Sequence, residues 1–331
     1  MFASAAAAPR SIARVNPEFA EAVLSGLTQK GQKTIPPSWL YDEVGSALFE
    51  VITVLPEYGV TRAEAALLSH AADEIVRASS HPARIIELGS GTGTKTRHIL
   101  SAAARRQPVH YVPIDISPAA LDTCARALSG MQNVKIEPIA ATYLEGIHEA
   151  MSPRKAGQPV LLLFLGSTIG NFTRPEAASF LTRIGRRMRP GDFLLLGADL
   201  VKSRERLISA YDDPIGVTAS FNLNLLARIN RELDGQFDVA QFAHEARYNE
   251  RQSRIEMHLR SRIPQEVHIE ALGITVKFVA GETIWTESSH KFHAEEISRI
   301  GQRSGFACAR QWVDGDWGFA ETLFRKTAAA R

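Results

Sequence analysis

The sequence is poor in cysteine: its 331 residues include only Cys124 and Cys308, and no CxxC pair. Two isolated cysteines provide neither a disulfide framework nor a zinc-binding spacing, which fits a reducing, cytoplasmic compartment. The chain also lacks an apolar run of the roughly 20 residues that a membrane-spanning helix needs, so we expect no membrane association. Its ten histidines are scattered without a metal-ligand spacing, and we expect no metal site.

Neither positive nor negative charge is in large excess. The 38 Lys and Arg residues are balanced by 36 Asp and Glu residues, for a net charge of +2, and the two signs are mixed along the chain. No basic tail or stripe is present, so we expect no nucleic-acid partner. The 45 % of apolar residues is enough for a sizeable core, and the length allows one large domain or two ordinary ones.

The N-terminal residues 1–14 are rich in alanine, with charges only at Arg10 and Arg14. A cleaved signal would need a basic segment before a longer apolar stretch. We therefore expect a frayed tail.

Between residues 62 and 201, apolar runs alternate with helical patterns. The predicted strands are 83–91, 110–117, 134–140, 159–167 and 192–200. The predicted helices are 61–78, 94–106, 118–130 and 174–188. This alternation predicts a doubly wound α/β sheet.

The rest of the chain has a different pattern. Helical periodicity is found at 15–31, from Pro36-Pro37 to Pro56, and at 203–236, whereas 237–290 contains several β-like runs. These segments predict a second, α+β lobe. A helix at 293–304 and strand-like runs at 306–314 and 318–326 would return to the first sheet. Such a terminal hairpin beside a parallel sheet is typical of class I methyltransferases.

A glycine-rich motif follows the first predicted strand. Glu87, Gly89, Gly91 and Gly93 form the pattern acid-x-G-x-G-x-G, where glycines let the backbone turn and approach a ligand. This pattern is typical of S-adenosylmethionine binders, and the Glu87 carboxylate would suit the cationic methionine end of that cofactor. Asp115 closes the second strand, where an acid can bind ribose hydroxyls. The alternative for Asp115 is a helix cap shared with Ser117.

Two other nucleotide motifs are near misses. A dinucleotide fingerprint, GxGxxG, would need its third glycine one position later. A phosphate loop, GxxxxGK[ST], would have Lys95 and Thr96 in place but Thr94 where its last glycine belongs. A phosphate-loop nucleotidase therefore stays an alternative to the methyltransferase.

Several separate stretches match one known family. They are PPSWLYDEVGSALFE, LPEYGVTRAEA, ELGSGTGTKT, FLGSTIGNFT, MRPGDFLLLGADLVK, AYDDPIGVTASFN and TESSHKF. The chain resembles the histidine-specific methyltransferase family from about residue 33 to residue 325. The resemblance implies S-adenosylmethionine-dependent methylation of the α-amino group of L-histidine, up to trimethylhistidine (hercynine), in ergothioneine biosynthesis.

The resemblance also implies the domain organisation. Residues 62–201 and 291–331 would bind the cofactor, and residues 11–61 and 202–290 would bind the amino acid. We expect a monomer whose partner is a small-molecule amino acid.

The family's substrate positions carry over to this chain as expectations. Asn171 would hold the α-amino and carboxylate groups of the substrate, Tyr211 its carboxylate, and Tyr41 and Tyr58 would line the pocket. Glu287 and Ser289 would bind the imidazole. The remaining substrate residues implied are Gly166, Thr168 and Met257, the last packing on the ring. Tyr41 and Asn171 are the candidate catalytic residues.

The cofactor positions carry over in the same way: Glu87, Gly89, Gly91, Lys95, Asp115, Thr142 and Tyr143. The chain departs from the family pattern at three places. Gly93-Thr94 replaces a Ser-Glu pair, Thr142-Tyr143 replaces an Asp-Phe pair at the adenine, and Gly59 replaces a second aromatic residue after Tyr58.

Several of these residues have simpler explanations. The tyrosines could be core packing, and Asn171 could be the N-cap of the helix that starts near Pro175. Glu287 and Ser289 are two positions apart, so on a strand they would face the same side and offer an acceptor and an adaptable hydroxyl to an imidazole. An indole lacks the second nitrogen, so the pair favours histidine over tryptophan derivatives or other amino acids.

The expected reaction is direct displacement, in which the amine lone pair attacks the sulfonium methyl in line. Alignment and desolvation would supply most of the catalysis. Tyr41 or a water chain would accept the ammonium proton. A non-catalytic cofactor-binding sensor is a further alternative.

Overall fold

A computed structural model of the protein describes residues 16–152 and 157–328. The predicted N-terminal tail lies outside the described residues. The chain divides into two compact units. The first comprises Met1–Ile52, Tyr211–Arg247 and Glu256–Glu287, and the second comprises Thr53–Ala210, Tyr248–Ile255 and Ser288–Arg331.

Helices and strands alternate along much of the chain. The α-helices are α1 (Pro17–Thr28), α2 (Glu43–Val54), α3 (Gly59–Ala78), α4 (Arg97–Ala104), α5 (Pro118–Leu128), α6 (Tyr143–Met151), α7 (Arg174–Arg187), α8 (Arg204–Tyr211), α9 (Val217–Leu233) and α10 (Ala294–Arg303). Short 3-10 helices span Pro37–Leu40, Thr168–Asn171, Val239–Gln241 and Glu270–Leu272. None of the described helices combines the length and apolar character that crossing a bilayer requires.

The strands follow in the same chain order. They are β1 (Lys33–Thr34), β2 (Arg84–Leu88), β3 (Val109–Asp115), β4 (Val134–Ile136), β5 (Ile139–Ala140), β6 (Val160–Phe164), β7 (Phe193–Asp199), β8 (Phe242–Asn249), β9 (Arg254–Ser261), β10 (Gln265–Ile269), β11 (Ile274–Phe278), β12 (Thr283–His290), β13 (Phe306–Asp314) and β14 (Phe319–Lys326).

An eight-stranded sheet forms the centre of the second unit. Its order is β13-β14-β7-β6-β2-β3-β4, with β5 also paired to β3. Strand β2 runs parallel to β3 and β6, and β6 runs parallel to β7. Strand β14 is antiparallel to both β7 and β13. The predicted doubly wound α/β sheet, closed by a terminal antiparallel hairpin, is therefore confirmed.

Both faces of this sheet are covered by helices. Successive side chains of a strand point to opposite faces, so Ile86 belongs to one buried cluster and Ile85 to the other. The Ile86 cluster includes side chains of α6, α7 and α10. The Ile85 cluster includes side chains of α3, α4 and α5. Burial on both faces explains why the parallel strands are nearly continuous apolar runs.

The structure differs from the predicted elements at four places. The predicted helix 203–236 is divided into α8 and α9 by residues 212–216. The predicted strand 134–140 is split into β4 and β5 around Pro138, which has no N–H for the ladder. The predicted helix from Pro37 to Pro56 is interrupted at Tyr41 and Asp42, where the Asp42 carboxylate accepts the Gly45 N–H at 2.7 Å. Helix α6 was not predicted. It is short and contains Gly146, which packs against Ile114 of the sheet.

The first unit is α+β, as predicted for the second lobe. It contains α1, α9 and most of a four-stranded sheet of order β1-β12-β9-β8. A β-hairpin is formed by the antiparallel strands β10 and β11. Edge-to-face contacts between Phe237, Phe242 and Phe278 contribute to the core of this unit.

Candidate active site

The glycine motif forms the loop between β2 and α4. Gly89, Gly91 and Gly93 have φ values of +67°, +49° and +68°, a region that favours glycine. A Cβ at Gly91 would meet no atom within 4 Å, whereas one at Gly93 would lie 2.5 Å from the Cys124 Sγ. The loop therefore offers open space beside Gly91, and its Gly93 is fixed by packing against α5.

Glu87, the acid of the motif, is buried at the end of β2. Its two carboxyl oxygens lie 2.7 and 2.8 Å from the Thr96 hydroxyl and accept its hydrogen bond. One of them also accepts a hydrogen bond from the Tyr111 hydroxyl. Burial raises the pKa of Glu87 to about 7, although the Tyr111 and Thr96 hydrogen bonds and the charge of Lys95 act in the opposite direction. This carboxyl group is half protonated near neutral pH, and its contact with a cofactor stays a prediction.

Asp115 connects the end of β3 to the glycine loop. Its Oδ2 accepts the Gly91 N–H at 3.2 Å, and its Oδ1 accepts the Ser117 N–H at 2.9 Å. The N-cap of α5 is Ser117, whose hydroxyl accepts the Ala120 N–H at 3.3 Å. Asp115 is thus held against the glycine loop at the carboxyl end of its strand, where ligands bind in open α/β sheets.

Thr142 and Tyr143 begin α6. Thr142 is its exposed N-cap residue and donates to Glu145 at 2.6 Å. The Tyr143 ring packs edge-on against Phe164 at 5.7 Å, and its hydroxyl lies 3.1 Å from the position of a Cβ at Gly89. Burial, aided by the charge of Asp115, raises the pKa of Tyr143 to about 12. This neutral phenol therefore lies directly beside the glycine loop.

Lys95 is held by a carboxylate that sequence analysis missed. Its ammonium forms an ion pair with the fully buried Glu64 of α3. The same Glu64 carboxylate accepts the Gly166 N–H. Glu64 thereby ties the loop after β2 to the loop after β6, and only its burial and partners reveal this role.

Gly166, Thr168 and Asn171 lie in the loop and 3-10 helix that follow β6. Gly166 has a φ of +74°, and the Thr168 hydroxyl donates to the Leu165 carbonyl at 2.9 Å. The capping box of α7 is formed by Thr173 and Glu176, so the half-buried Asn171 is not the cap of that helix. The amide of Asn171 is not required for this helix end.

Tyr58 is buried just before α3, and its carbonyl accepts the Arg62 guanidinium at 3.4 Å. The adjacent Gly59 is required by packing, because a Cβ there would lie 2.1 Å from the Trp317 ring. Trp317 occupies the space next to Gly59, which explains why no aromatic side chain follows Tyr58.

Ser289 lies near the end of β12 and is buried. Its hydroxyl accepts a hydrogen bond from Lys291 at 2.9 Å. Lys291 in turn lies 2.9 Å from Asp199. Neither Lys291 nor Asp199 was singled out from the sequence, because a lysine and an aspartate so far apart in the chain give no local signal.

Comparison with known proteins identifies the family. The model of the histidine-specific, S-adenosylmethionine-dependent methyltransferases matches residues 19–326. The chain belongs to this family. The predicted family, enzyme class and cofactor are confirmed, and the phosphate-loop and dinucleotide interpretations of the glycine motif are set aside.

The methyltransferase is similar to curated relatives over most of its length. It is 46 % identical over 302 residues to a histidine N-alpha-methyltransferase of Mycobacterium tuberculosis, covering 90 % of this chain and 92 % of that protein. Identity to the protein of the same name in Mycolicibacterium smegmatis is 41 % over 302 residues, with the same coverage. Ergothioneine biosynthesis protein 1 of Neurospora crassa is 30 % identical over 291 residues, which are 86 % of this chain and 32 % of the fungal protein.

The first unit of the methyltransferase contains four of the predicted substrate residues: Tyr41, Tyr211, Met257 and Glu287. Tyr41 packs edge-on against Phe49 and Phe221, each at 5.4 Å. These two phenylalanines were missed because their helices give them an ordinary apolar spacing. The rings of Tyr41, Phe49 and Phe221 thus form one aromatic cluster.

The other three residues of this group are buried. The Tyr211 carbonyl is hydrogen bonded to His244 Nε2 at 2.7 Å. The Met257 carbonyl accepts the hydroxyl of Thr286, the neighbour of Glu287 on β12, at 3.0 Å. These backbone contacts fix the strand and helix end from which the predicted substrate residues project.

The predicted cofactor residues and five of the predicted substrate residues belong to the second unit. Within it, hydrogen bonds and packing link Asp115 to Gly91, Tyr143 to Gly89, and Lys95 through Glu64 to Gly166. No group of three or more His, Cys, Asp and Glu side chains arranged to hold a metal occurs in the described part of the chain.

Proposed function

We propose that the protein methylates the α-amino group of L-histidine with S-adenosylmethionine, through successive transfers, to trimethylhistidine in ergothioneine biosynthesis. The observation that carries this proposal is the 46 % identity, over 90 % of the chain, to a histidine N-alpha-methyltransferase. The two-residue spacing of Glu287 and Ser289 on β12 supports this proposal, because side chains two positions apart project from the same face of a strand.

The proposal assigns cofactor binding to residues 62–201 and 291–331, and amino-acid binding to residues 11–61 and 202–290. The residues around the glycine loop fit S-adenosylmethionine. Gly91 leaves room for a ligand, the Asp115 carboxylate can accept ribose hydroxyls, and the phenol of Tyr143 lies beside Gly89. Glu87 and Thr142 complete the proposed cofactor set together with Lys95.

The bound cofactor supplies an electrophilic methyl group that is already activated by its sulfonium. The protein then has to align the amine and exclude water. Asn171 would hold the amino and carboxylate groups, with Gly166 and Thr168 beside it, and Tyr211 would bind the carboxylate.

The substrate pocket would be completed by aromatic and apolar residues. Tyr58 and the aromatic cluster of Tyr41 would surround the amine as its charge becomes permanent, because aromatic faces accommodate quaternary ammonium groups. Met257 would pack on the imidazole. Tyr41 or a water chain would accept the ammonium proton before each transfer.

We further propose a cytoplasmic monomer whose partner is the amino acid, with neither nucleic acid nor a membrane as a binding partner. Both cysteines are free thiols, and Cys124 is buried, which fits a reducing compartment. Size-exclusion chromatography with light scattering would detect a dimer, which would contradict the monomer.

A mass-spectrometric assay tests the substrate. The purified protein is incubated with S-adenosylmethionine and a pool of free amino acids, and methylated products are identified. Trimethylated histidine as the product is the expected outcome. Methylation of tryptophan or another amino acid would overturn the substrate, and cofactor binding without any product would favour a sensor.

The variant Glu287→Ala tests the imidazole contact. We expect the KM for histidine to rise at least tenfold, because loss of a charged hydrogen-bond partner costs about 1.5–3 kcal/mol. The dissociation constant of S-adenosylhomocysteine, measured by calorimetry, should change less than twofold. The exposed Glu270→Ala is the matched control, and equal losses of histidine and cofactor affinity would refute the assignment.

A further inference from the structure

Lys291 is a buried cation next to the proposed imidazole site. It directly follows β12 and is fully buried. A buried ammonium group is costly unless a countercharge compensates it. Asp199, at the end of β7 and also fully buried, provides that charge, with its Oδ2 2.9 Å from the Lys291 Nζ.

Asp199 stays ionised in this environment. Burial alone would raise the pKa of Asp199, but the charges of Lys291 and Lys202 outweigh burial and lower it. The second oxygen, Oδ1, accepts a hydrogen bond from Lys202 and another from the Trp317 indole N–H at 3.0 Å. The carboxylate therefore holds Lys291 in place as a charged donor.

The remaining contact of interest joins Lys291 to Ser289. The Lys291 Nζ donates to the Ser289 Oγ at 2.9 Å. An ammonium group has three donors and no acceptor, so the serine oxygen must accept this bond. A hydroxyl group has only one hydrogen, and the hydrogen of Ser289 is therefore directed away from Lys291.

We propose that Lys291 is a positioning residue that makes Ser289 a hydrogen-bond donor to the substrate, so that the site selects the neutral imidazole of histidine over imidazolium. This inference rests on the proposed function. A neutral imidazole has one N–H and one lone pair. Glu287 would accept the N–H, and the Ser289 hydroxyl would donate to the lone pair. An imidazolium, with two N–H groups, would place a donor against the donor of Ser289.

The surrounding charges define the pH range of a test. Besides Asp199, the charged and titratable groups that interact with Lys291 or with its neighbour His290 include Lys202, Arg174, Arg254 and Glu176. Burial lowers the pKa of Lys202 to about 8 and also lowers the pKa of His290. Measurements between pH 5.5 and 7.5 keep Lys202 mostly charged while the substrate imidazole titrates near pH 6.5.

The experiment compares the wild type with Lys291→Met. Both kcat and the KM for histidine are measured across this pH range at saturating S-adenosylmethionine. For the wild type, the KM should rise about tenfold per pH unit below the imidazole pKa, as the neutral fraction falls. In Lys291→Met the serine oxygen loses the Lys291 donor and can accept from imidazolium instead. At pH 7.5 the KM of this variant should be about tenfold higher than that of the wild type, because Ser289 is no longer held as a donor to the neutral imidazole. A loss of this size is typical of one charge-assisted contact. The ratio of the variant KM to the wild-type KM should fall as the pH decreases.

Lys202→Met is the matched control, because it also removes a cation from Asp199, but one bound to Oδ1 and not to the Oδ2 that lies nearest Lys291. It should keep the pH dependence of the wild type. Lys291→Arg, which retains a charged donor, should restore part of the wild-type pH dependence. A KM ratio of Lys291→Met to wild type that is independent of pH, with kcat unchanged, would overturn the inference.

Ser289→Ala keeps the test decisive if Lys291→Met does not fold. Without the hydroxyl, the preference for neutral imidazole should weaken although Lys291 is intact, and a wild-type pH dependence of KM in this variant would refute the inference. If the wild type makes trimethylhistidine and both variants keep the wild-type pH dependence of KM, the role of Lys291 is refuted but the proposed function stands. A wild type that does not methylate histidine refutes the proposed function and this inference together.

Discussion

Individual buried carboxyl groups set the charge around Lys95. Glu64, Glu87 and Glu321 are all buried near this lysine. Neither oxygen of Glu321 meets a hydrogen-bond donor among the described residues. Burial, followed by the negative charge of Glu64, raises the pKa of Glu321 well above its usual range. This environment favours the neutral form of Glu321, and Lys95 forms its ion pair with Glu64.

Glu87 makes the stability of the protein depend on pH. Its pKa is raised from 4.5 to about 7 in the folded protein, chiefly by burial. Between these pH values the folded protein binds a proton that the unfolded chain releases. The stabilisation is therefore complete below pH 4.5 and is lost as the pH rises through 7, by roughly 3 kcal/mol at most.

Glu87→Gln should remove this dependence while keeping an acceptor for Thr96 and Tyr111. We expect the melting temperature of the variant, relative to that of the wild type, to increase between pH 5 and pH 8. Differential scanning calorimetry at both pH values measures the difference, with the exposed Glu149→Gln as control. A difference that stays constant with pH would show that Glu87 is ionised throughout.

Among the elements, the loop between β2 and α4 combines two different requirements for glycine. All three of its motif glycines have positive φ values. Gly93 is confined most tightly, by Cys124 and Leu128 of α5, and Gly89 lies against the Tyr143 hydroxyl. The space beside Gly91 is open. The same backbone conformation therefore allows close packing at Gly93 and leaves open space at Gly91, where we propose that the cofactor binds.

Alanine substitutions should separate these two requirements. Gly91→Ala should cost about 1 kcal/mol of stability from backbone strain alone, but should weaken binding of S-adenosylhomocysteine. Gly93→Ala should cost an additional 1–3 kcal/mol because its methyl group overpacks the contact with Cys124. Urea unfolding and titration calorimetry measure the two effects. Equal losses of stability would contradict this division of roles.

At the scale of the whole molecule, the chain passes repeatedly between its two units. Each unit is assembled from three separate segments of the chain. A cut at a single point therefore cannot separate one unit from the other. Functional tests should use the full chain with point substitutions.

Ligand binding should stabilise the whole molecule measurably. A ligand at 100 times its dissociation constant stabilises the native state by about 2.7 kcal/mol. We expect S-adenosylhomocysteine to raise the melting temperature of the wild type and of the exposed control Asp122→Asn equally. The shift should be smaller for Asp115→Asn, which weakens the proposed ribose contact. An undiminished shift in that variant would exclude Asp115 from the cofactor site.

Much of the fold could be predicted because its signals are local. The apolar runs of β2, β3, β6 and β7 each indicate a strand buried on both faces, and the glycine motif after β2 indicates a ligand loop. Local signals failed at α6, where Gly146 obscured a short helix whose buried side chains are determined by the sheet beneath it. They also failed at Pro138, which ends one strand pairing before another begins.

The sequence by itself determined the family, the cofactor class and the order of the main elements, because these depend on motifs and periodicities within short stretches. Only the tertiary structure decided which charges meet. Glu64 reaches Lys95 and Gly166, and Asp199 reaches Lys291 beside Ser289, across dozens of residues of chain. Such pairs follow from the packing of strands and helices that are distant in sequence, and no local pattern encodes which buried carboxylate compensates which buried cation.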